Sequence, residues 1–196
     1  MLNKEYWENR YLNDQAPWDA GSITTPIKEY IDSLADKSLK ILVPGAGNAH
    51  EFEYLYTSGF TNSSVLDFAP SPLENLKQRM PALEDSHVIL DDFFAISGQY
   101  DLIIEQTFFC ALDPGLRQQY ARKMYELLKP GGTLAGLLFE FPLTEQGPPF
   151  GGSREEYEKT FSPYFDIIVM EPARNSIKPR EGRELFIIFR KKQHNP

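Results

Sequence analysis

The chain of 196 residues is 41% hydrophobic and 24% charged, which is typical of one globular domain. Its formal net charge of -8, from 20 Lys and Arg against 28 Asp and Glu, excludes a surface built to bind nucleic acid. A single basic run, Arg190-Lys191-Lys192, follows a strand-like segment and is expected to be a solvated tail.

The cysteine content and the apolar runs bear on the compartment. Cys110 is the single cysteine, so an internal disulfide bond is excluded, as is usual in a reducing compartment. The first residues are polar, and no apolar run approaches the roughly 20 residues that span a bilayer. We therefore expect a cytoplasmic protein with no membrane partner, and we favour a monomer.

In the first half of the chain, short apolar runs alternate with segments of helical character. Four runs predict buried strands, over residues 39–43, 65–66, 88–90 and 100–104. The second of these ends at Asp67 and the third at Asp91-Asp92. Two helices are predicted between the strands, one over residues 50–56 and one opened by Ser71 and Pro72.

The second half opens with the clearest helix. Asp113 and Pro114 form a capping pair, followed by an apolar stripe at Leu116, Tyr120, Met124, Leu127 and Leu128. A fifth strand is predicted over residues 133–139, and a Gly- and Pro-rich loop follows over 147–152. Ser153 and Glu156 match a capping box at the start of another helix. Strands over 165–170 and 185–189 have no helical pattern between them and are expected to pair antiparallel.

This alternation predicts the fold class. Strands that alternate with helices form an α/β, Rossmann-like, mostly parallel sheet with helices on both faces. We interpret residues 1–196 as a single domain. Ligands of such sheets bind beyond the carboxyl ends of the strands, so candidate functional residues are sought there.

The first strand runs into V-P-G-A-G-N-A-H-E, residues 43–51. Gly45 and Gly47 allow a sharp turn and let a ligand lie against the backbone. The loop could bind a dinucleotide phosphate or a nucleoside without phosphates, or it could be a plain tight turn. A dinucleotide loop needs a third glycine where this chain has His50, so that interpretation fits poorly.

Two acidic residues at strand ends suit a nucleoside. Asp67 lies 22 residues after Gly45, where a carboxylate accepts hydrogen bonds from ribose hydroxyls. Asp92 could accept from an exocyclic amine while Phe93 covers a base. The alternatives are that Asp67 and Asp92 cap loops and that Phe93 belongs to the core.

The N-terminal segment, residues 1–24, is rich in aromatic side chains. Trp7 and Tyr11 are four residues apart and share one face if the segment is helical, and Trp18 follows. These rings could be ordinary packing residues. The alternative is a lid over the cofactor, because aromatic faces attract a sulfonium cation and exclude water from it.

The glycine loop motif, with the segments W-E-N-R-Y, E-Q-T-F-F-C-A-L-D-P and G-P-P-F, resembles the thiopurine methyltransferase superfamily of class I methyltransferases. Within it, the chain is most similar in appearance to thiol and halide methyltransferases. The resemblance implies a seven-stranded sheet with an antiparallel last strand, and S-adenosylmethionine as methyl donor. It also implies cofactor contacts from Trp7, Tyr11, Trp18, Gly45, Gly47, Asp67, Asp92, Phe93 and Gln106.

The chain departs from this family's pattern at several positions. Tyr11 stands in place of a tryptophan, Ala46 in place of a cysteine and Asn48 in place of a glycine. Glu105-Gln106 replaces an Asp-Tyr pair near the expected path of the methyl group. Position suggests that the acceptor pocket includes Phe108, Phe109, Pro149 and Phe150, although these could equally be core residues.

The sequence therefore predicts an enzyme that transfers a methyl group from S-adenosylmethionine to a small soft nucleophile, namely a thiol, a halide or a thiopurine-like acceptor. No metal is expected, because the three histidines show no metal-ligand spacing. No catalytic residue is assigned, since the displacement requires no single general base. The alternatives are a nicotinamide-dependent oxidoreductase and a non-catalytic protein that binds S-adenosylmethionine.

Overall fold

The computed structural model describes residues 2–193, and one sheet of seven strands lies at its centre. Residues 1 and 194–196, which the expected domain includes, lie outside the described residues. The strands are β1 (Ile41–Pro44), β2 (Ser63–Asp67), β3 (Val88–Leu90), β4 (Tyr100–Gln106), β5 (Leu128–Phe139), β6 (Phe165–Pro172) and β7 (Glu184–Lys191). Their order across the sheet is β3-β2-β1-β4-β5-β7-β6.

The strand directions confirm the predicted sheet. Strands β1 to β5 pair parallel with one another. Strand β7 lies between β5 and β6 and pairs antiparallel with both. The strand order reverses between β1 and β4, so a crevice opens between their carboxyl ends.

Helices lie on both faces of the sheet, as predicted. Within residues 2–193 the α-helices are α1 (Lys4–Leu12), α2 (Thr25–Asp32), α3 (His50–Thr57), α4 (Pro70–Arg79), α5 (Arg117–Leu127) and α6 (Arg154–Phe161). Apolar residues of α2, α3 and α4 pack into one core cluster, and those of α5 and α6 pack into the other. No helix in this part of the chain has the length and apolar character needed to cross a membrane.

The two core clusters follow from the alternation of side chains along each strand. In β1, Ile41 and Val43 belong to the cluster under α2 and α3, whereas Leu42 belongs to the cluster under α5. All three are at most 1% exposed. Burial on both faces explains why this strand is an uninterrupted apolar run in the sequence.

Several boundaries differ from the prediction. Asp113 caps the 3₁₀ turn Pro114–Leu116, and the long helix α5 itself begins only at Arg117. Helix α4 begins at Pro70 with Ala69 as its N-cap, and the Ser71 side chain bonds Glu8 instead of capping the helix. Leu128 is the first residue of β5, where it pairs with Tyr100, and is not part of the helical stripe. The basic run is not a solvated tail, because β7 extends to Lys191, whose Nζ donates to the Leu128 carbonyl oxygen (2.6 Å).

Candidate active site

The carboxyl ends of β1, β2 and β4 meet at one edge of the sheet, beside the reversal of strand order. Strand β1 leads into the glycine loop, residues 45–49. Strand β2 ends at Asp67, and β4 ends at Gln106. The fold thus brings Gly45, Gly47, Asp67 and Gln106 to the same crevice.

The glycine loop turns tightly because both glycines adopt left-handed backbone angles, with φ of +57° at Gly45 and +52° at Gly47. A Cβ at Gly45 would lie 2.2 Å from Cδ2 of Phe108. A Cβ at Gly47 would lie 2.4 Å from the hydroxyl oxygen of Tyr11. Glycine at these positions therefore opens the loop backbone to direct contact with a ring.

Two residues other than glycine border the crevice with left-handed backbones. Ala49, just before α3, has φ of +59°, and Thr107, just after β4, has φ of +56°. This conformation costs roughly 1–2 kcal/mol in a residue with a Cβ. Such strain clusters at functional sites, and here it lies at the ends of the two strands that form the crevice.

Asp67 is buried and holds the glycine loop in place. Its Oδ2 accepts a hydrogen bond from the Gly47 N–H (2.9 Å), and its Oδ1 accepts one from the Ala69 N–H (2.9 Å). Burial raises the pKa of the Asp67 carboxyl, and these backbone donors oppose the rise. Each oxygen keeps a further lone pair, so Asp67 can also accept from the hydroxyls of a ligand.

Trp7, Tyr11 and Trp18 form one ring cluster. The Trp18 ring packs edge-to-face against Trp7, with centroids 5.3 Å apart, and against Tyr11 at 5.8 Å. The Trp18 indole N–H donates to the Tyr11 hydroxyl oxygen over 3.3 Å. Burial, together with the nearby Asp67 charge, raises the pKa of Tyr11, so its phenol stays neutral beside the glycine loop.

Asp19 ties residues 2–24, which we call the covering segment, to the glycine loop. Its carboxylate accepts from His50 Nε2 (2.8 Å), from the Gly21 N–H (2.7 Å) and from the Asn48 amide. The bond to His50 lowers the pKa of Asp19, and the same bond raises the pKa of His50. His50 occupies the position at which a dinucleotide loop has its third glycine. In this chain the residue at that position holds the covering segment through Asp19.

Two further polar contacts dock the covering segment. The Glu8 carboxylate accepts from the backbone N–H of Ser71 (3.1 Å) and from the Ser71 hydroxyl. The Trp18 carbonyl oxygen accepts from Nη2 of Arg180 (2.6 Å). Arg180 belongs to a 3₁₀ turn, Lys178–Arg180, between β6 and β7, so the segment contacts both halves of the sheet.

Gln106 is 8% exposed at the end of β4. Its Oε1 accepts a hydrogen bond from the Thr24 hydroxyl (3.1 Å). Its Nε2 is buried and has no hydrogen-bond partner among residues 2–193. An unpaired buried amide N–H is costly, which makes this group a candidate ligand donor.

Glu105, the residue before Gln106, is 1% exposed and anchors the loop after β4. Its Oε1 accepts from the N–H groups of Phe108 (2.8 Å) and Phe109 (3.0 Å), and its Oε2 accepts from the Tyr120 hydroxyl. Burial raises the pKa of the Glu105 carboxyl to about 7, against the effect of these donors. Since the carboxylate is directed to this loop and to Tyr120, we assign it a structural role.

The predicted phenylalanines form a layer beneath the crevice. Phe93 packs edge-to-face on Phe108, with centroids 5.1 Å apart, and Phe109 packs on Tyr120 at 5.1 Å. Phe93 is 4% and Phe109 2% exposed, so both belong to the core, whereas Phe108 is half-buried against Gly45. Of these rings, Phe108 is the one placed against the glycine loop.

Asp92, Pro149 and Phe150 lie in flanking loops. Asp92 is exposed after β3, and its Oδ1 accepts from the Phe94 N–H (2.9 Å), as expected of a loop cap. Phe150 is buried, and its N–H donates to the Cys110 carbonyl oxygen (2.8 Å), which ties the G-P-P-F loop to the turn that follows β4. Pro149 is exposed beside it.

Several polar residues at this edge were not among those predicted from sequence, including Thr24, His50 and Arg180. Thr24 and Arg180 lie in polar connections that carry no motif, so no sequence signal singled them out. His50 stands inside the glycine loop motif, but only the fold shows its partner, Asp19. No cluster of His, Cys, Asp or Glu suited to a metal ion occurs among the described residues.

The family model described as thiopurine S-methyltransferase matches residues 2–193. The chain belongs to the thiopurine S-methyltransferase family. It is 32% identical over 184 residues to the probable thiol methyltransferase 2 of Arabidopsis thaliana, covering 91% of this chain and 81% of that protein. It is 31% identical over 184 residues to thiocyanate methyltransferase 1 of Brassica oleracea, with 91% and 81% covered.

Among solved structures, the chain is similar to a Burkholderia thailandensis 1,6-didemethyltoxoflavin-N1-methyltransferase with bound 1,6-didemethyltoxoflavin and S-adenosylhomocysteine. The TM-score is 0.77 at 16% identity, with 97% of this chain and 88% of that chain covered. This likeness shows the class I methyltransferase fold. As a member of the thiopurine S-methyltransferase family, the chain is an S-adenosylmethionine-dependent methyltransferase that acts on a soft nucleophile.

The residues of the crevice fit S-adenosylmethionine. Gly45 and Gly47 let the Phe108 and Tyr11 rings lie directly against the loop backbone, and Asp67 offers lone pairs for ribose hydroxyls. The aromatic cluster of the covering segment suits a sulfonium cation. Glu51 adds a buried carboxyl group in the first turn of α3, next to the glycine loop, and burial raises its pKa.

Proposed function

We propose that the chain methylates a small thiol, a halide ion or a thiopurine-like compound at the carboxyl ends of β1, β2 and β4. The observation that carries this proposal is the buried Asp67 carboxylate, which is bonded to Gly47 and lies beside the Tyr11 ring. A carboxylate in this place is suited to a ribose, and the ring closes the crevice from the other side. Both features lie at the strand ends where the sheet order reverses.

The proposed cofactor residues are the ones assigned from sequence, namely Trp7, Tyr11, Trp18, Gly45, Gly47, Asp67, Asp92, Phe93 and Gln106. The contacts of Tyr11 with Gly47 and of Gly47 with Asp67 support the centre of this set. Asp92 is exposed at the end of β3, next to β2, where its free oxygen can accept from an exocyclic amine. Phe93 contributes through Phe108, since its own ring is in the core.

The proposed acceptor pocket contains Phe108, Phe109, Pro149 and Phe150. The Phe150 N–H bond to Cys110 supports this grouping, because it brings the G-P-P-F loop to the residues that follow β4. Phe108 supplies the ring nearest to the glycine loop, and Phe109 and Phe150 support it from the core.

When bound, S-adenosylmethionine supplies a methyl group activated by a positively charged sulfur. The residues of this chain then position the reactants and exclude water, and correct alignment contributes about 7–11 kcal/mol to such a reaction. Tyr11, Trp7 and Trp18 cover the crevice, and the glycine loop fixes the nucleoside. No general base is assigned, because the Glu105 carboxylate is already engaged by Phe108, Phe109 and Tyr120.

The proposal is tested by calorimetric titration with S-adenosylhomocysteine. The wild-type protein should bind, and Asp67→Asn should weaken binding by about 10–100-fold, since a charge-assisted hydrogen bond contributes roughly 1.5–3 kcal/mol. The matched control is Asp101→Asn at the opposite edge of the sheet. Asp101 also accepts a backbone bond, from the Lys40 N–H (2.8 Å), and its loss should leave ligand affinity unchanged.

Two results contradict the proposal. Absence of S-adenosylhomocysteine binding by a folded wild-type sample removes the proposed site altogether. If the wild-type protein and Asp67→Asn bind S-adenosylhomocysteine equally well, the methyltransferase function stands but Asp67 is not part of the cofactor site.

The proposal includes a cytoplasmic monomer of one domain that acts without a metal and in which residues 1–24 cover the cofactor. Contacts of the covering segment with the glycine loop, α4 and the turn before β7 support the last point. The single cysteine, which is buried, supports the reducing compartment.

A further inference from the structure

Two buried side-chain donors at the crevice have no hydrogen-bond partner among the described residues. They are Nε2 of Gln106 and Nη1 of Arg180. Gln106 is 8% exposed and Arg180 is 7% exposed. Proteins leave few buried donors unpaired, so two at one edge of the sheet require an explanation.

The position of the Arg180 guanidinium is fixed from several sides. Its Nη2 donates to the Trp18 carbonyl oxygen (2.6 Å), and its Nη1 lies 3.7 Å from Oε1 of Glu184, beyond hydrogen-bond distance. Burial raises the pKa of Glu51, Cys110 and Glu184, and the Arg180 charge opposes the rise at each. Glu51 follows β1, Cys110 follows β4 and Glu184 begins β7. The guanidinium of Arg180 therefore lies near this edge of the sheet.

Gln106 lies at the same edge. Its strand partner in β5 is Leu137, and the partner of Leu137 in β7 is Phe186, so β4 and β7 are two strand spacings apart. That spacing is about 10 Å, and Arg180 lies in the 3₁₀ turn that leads into β7. The Gln106 side chain is oriented by Thr24, and Thr24 ends the covering segment whose Trp18 carbonyl binds Arg180.

Arg180 differs from the other buried arginine of this region. Arg117 donates from Nη1 to Glu156 and from Nη2 to the Gly151 carbonyl oxygen (2.7 Å), so both of its terminal nitrogens are bonded and only its Nε has no partner among the described residues. Arg180 keeps one end without a hydrogen bond, although its charge is permanent. The buried Glu184 carboxylate, whose Oε1 lies 3.7 Å from Nη1, forms an ion pair with Arg180, so the charge has a partner. What remains unused is the capacity of the Nη1 N–H groups to donate hydrogen bonds.

We propose that Nη1 of Arg180 and Nε2 of Gln106 bind the negatively charged atom of the methyl acceptor, an inference that rests on the proposed function. These residues select charged acceptors over neutral ones. Gln106, assigned above to the cofactor, then serves the acceptor through its amide N–H.

This arrangement accounts for methyl transfer without a general base. The lone pair of the anion forms the new bond to the methyl carbon, and the carbon–sulfur bond breaks with its electron pair left on sulfur. The negative charge of the acceptor and the positive charge of the sulfonium cancel, and no proton moves. For a thiol, the two donors favour the thiolate over the thiol, so the proton is lost to solvent before transfer.

Binding is measured by calorimetric titration of sodium thiocyanate into protein saturated with S-adenosylhomocysteine. Gln106→Glu and Arg180→Met should each weaken thiocyanate binding by about tenfold or more. Both variants should lose clearly less affinity for S-adenosylhomocysteine than for thiocyanate. The matched controls are Gln99→Glu and Arg183→Met, which make the same changes at exposed positions and should bind thiocyanate as the wild-type protein does.

Kinetics with iodide provide a second readout. The two variants should raise KM for iodide by about tenfold, and the two controls should not. If Arg180→Met does not fold, Gln106→Glu decides the result, because it has almost the same shape and its carboxylate can still accept from Thr24.

The outcomes separate this inference from the proposed function. A wild-type protein that does not bind S-adenosylhomocysteine contradicts the proposed function itself. Folded variants that bind thiocyanate like the wild-type protein overturn the inference and leave the proposed function intact. A parallel loss of S-adenosylhomocysteine affinity overturns it as well, because the anion held is then the carboxylate of the cofactor.

Discussion

The covering segment and the sheet are held by different forces. Helix α1 of the segment has no buried residue, and the segment is held by edge-to-face rings and by polar bonds from Glu8, Trp18 and Asp19. Strand β1 is the opposite case, since its central residues are at most 1% exposed and are packed on both faces. The segment therefore depends on a few polar bonds, and the sheet depends on apolar burial.

This difference implies that the segment opens without unfolding the sheet. Regions with few buried apolar contacts open locally at a small free-energy cost, whereas core strands open only when the whole domain unfolds. A ligand that enters beneath the segment needs such opening. Substitutions in the sheet should therefore change the free energy of unfolding, whereas substitutions in the covering segment should change amide hydrogen exchange in α1.

The largest effect is expected in the sheet, at Glu105. A pKa raised from 4.5 to about 7 means that this carboxyl binds its proton more tightly when folded. Its contribution to stability is therefore fully present below about pH 4.5 and declines by about 3 kcal/mol as the pH rises past 7. The free energy of unfolding of Glu105→Gln should not show this decline with pH. It is measured by urea unfolding followed by far-ultraviolet circular dichroism.

Exposed Glu140→Gln is the control and should keep the pH dependence of the wild-type protein. Glu51, Asp67 and Glu184 also have raised pKa values and add to the wild-type slope in the same direction. The difference between wild-type protein and Glu105→Gln isolates the one group. Identical slopes for the two proteins contradict this account of Glu105.

An intermediate effect is expected in the covering segment, at Asp19. Asp19→Ala removes the bond to His50, so amide hydrogen exchange in α1 should become about tenfold faster while the free energy of unfolding stays unchanged. The pKa of His50 is raised by this bond, so the pair stabilises the segment at low pH. In the wild-type protein this stabilisation is lost as the pH rises through the folded-state pKa of His50.

Asp14→Asn removes a charge from the same segment at an exposed position and serves as the control. It should leave exchange in α1 at the wild-type rate. A loss of global stability in Asp19→Ala would show that the segment and the sheet open as one unit.

The smallest effect comes from two helix caps, one in each region. The Ser153 side chain accepts from the Glu156 N–H at the start of α6, and the Asn3 side chain accepts from the Tyr6 N–H (3.0 Å) at the start of α1. Ser153→Ala should lower the free energy of unfolding by about 1 kcal/mol. Asn3→Ala should only speed amide hydrogen exchange within α1. An equal loss in the free energy of unfolding would contradict the view that the covering segment opens independently of the sheet.

Much of the fold could be predicted from the sequence because burial on both faces makes strands into apolar runs. Strand β3 has the bounds that its run predicted, β1 and β4 lie within two residues of theirs, and Asp67 ends β2 as expected. Helix α2 was missed, although Thr25-Pro26 and the i,i+4 pair Ile27 and Ile31 were available signals. The boundary of α4 was misplaced because the Ser71 side chain bonds the distant Glu8.

The candidate site was less predictable, because its polar partners are far apart in sequence. Gly45, Gly47 and Asp67 follow from motif and spacing. Arg180 binds the carbonyl oxygen of Trp18, which lies 162 residues earlier, and no local pattern encodes such a contact. His50 could be recognised as unsuited to a dinucleotide loop, but its bond to Asp19 depends on how the covering segment folds back.

The ring cluster also makes the protein its own optical probe. The chain contains two tryptophans, and both Trp7 and Trp18 belong to the covering segment, edge-to-face at 5.3 Å. Tryptophan emission therefore reports on the segment and hardly on the sheet. Fluorescence and circular dichroism should consequently give different melting curves, and the gap between them measures how far the segment opens before the domain unfolds.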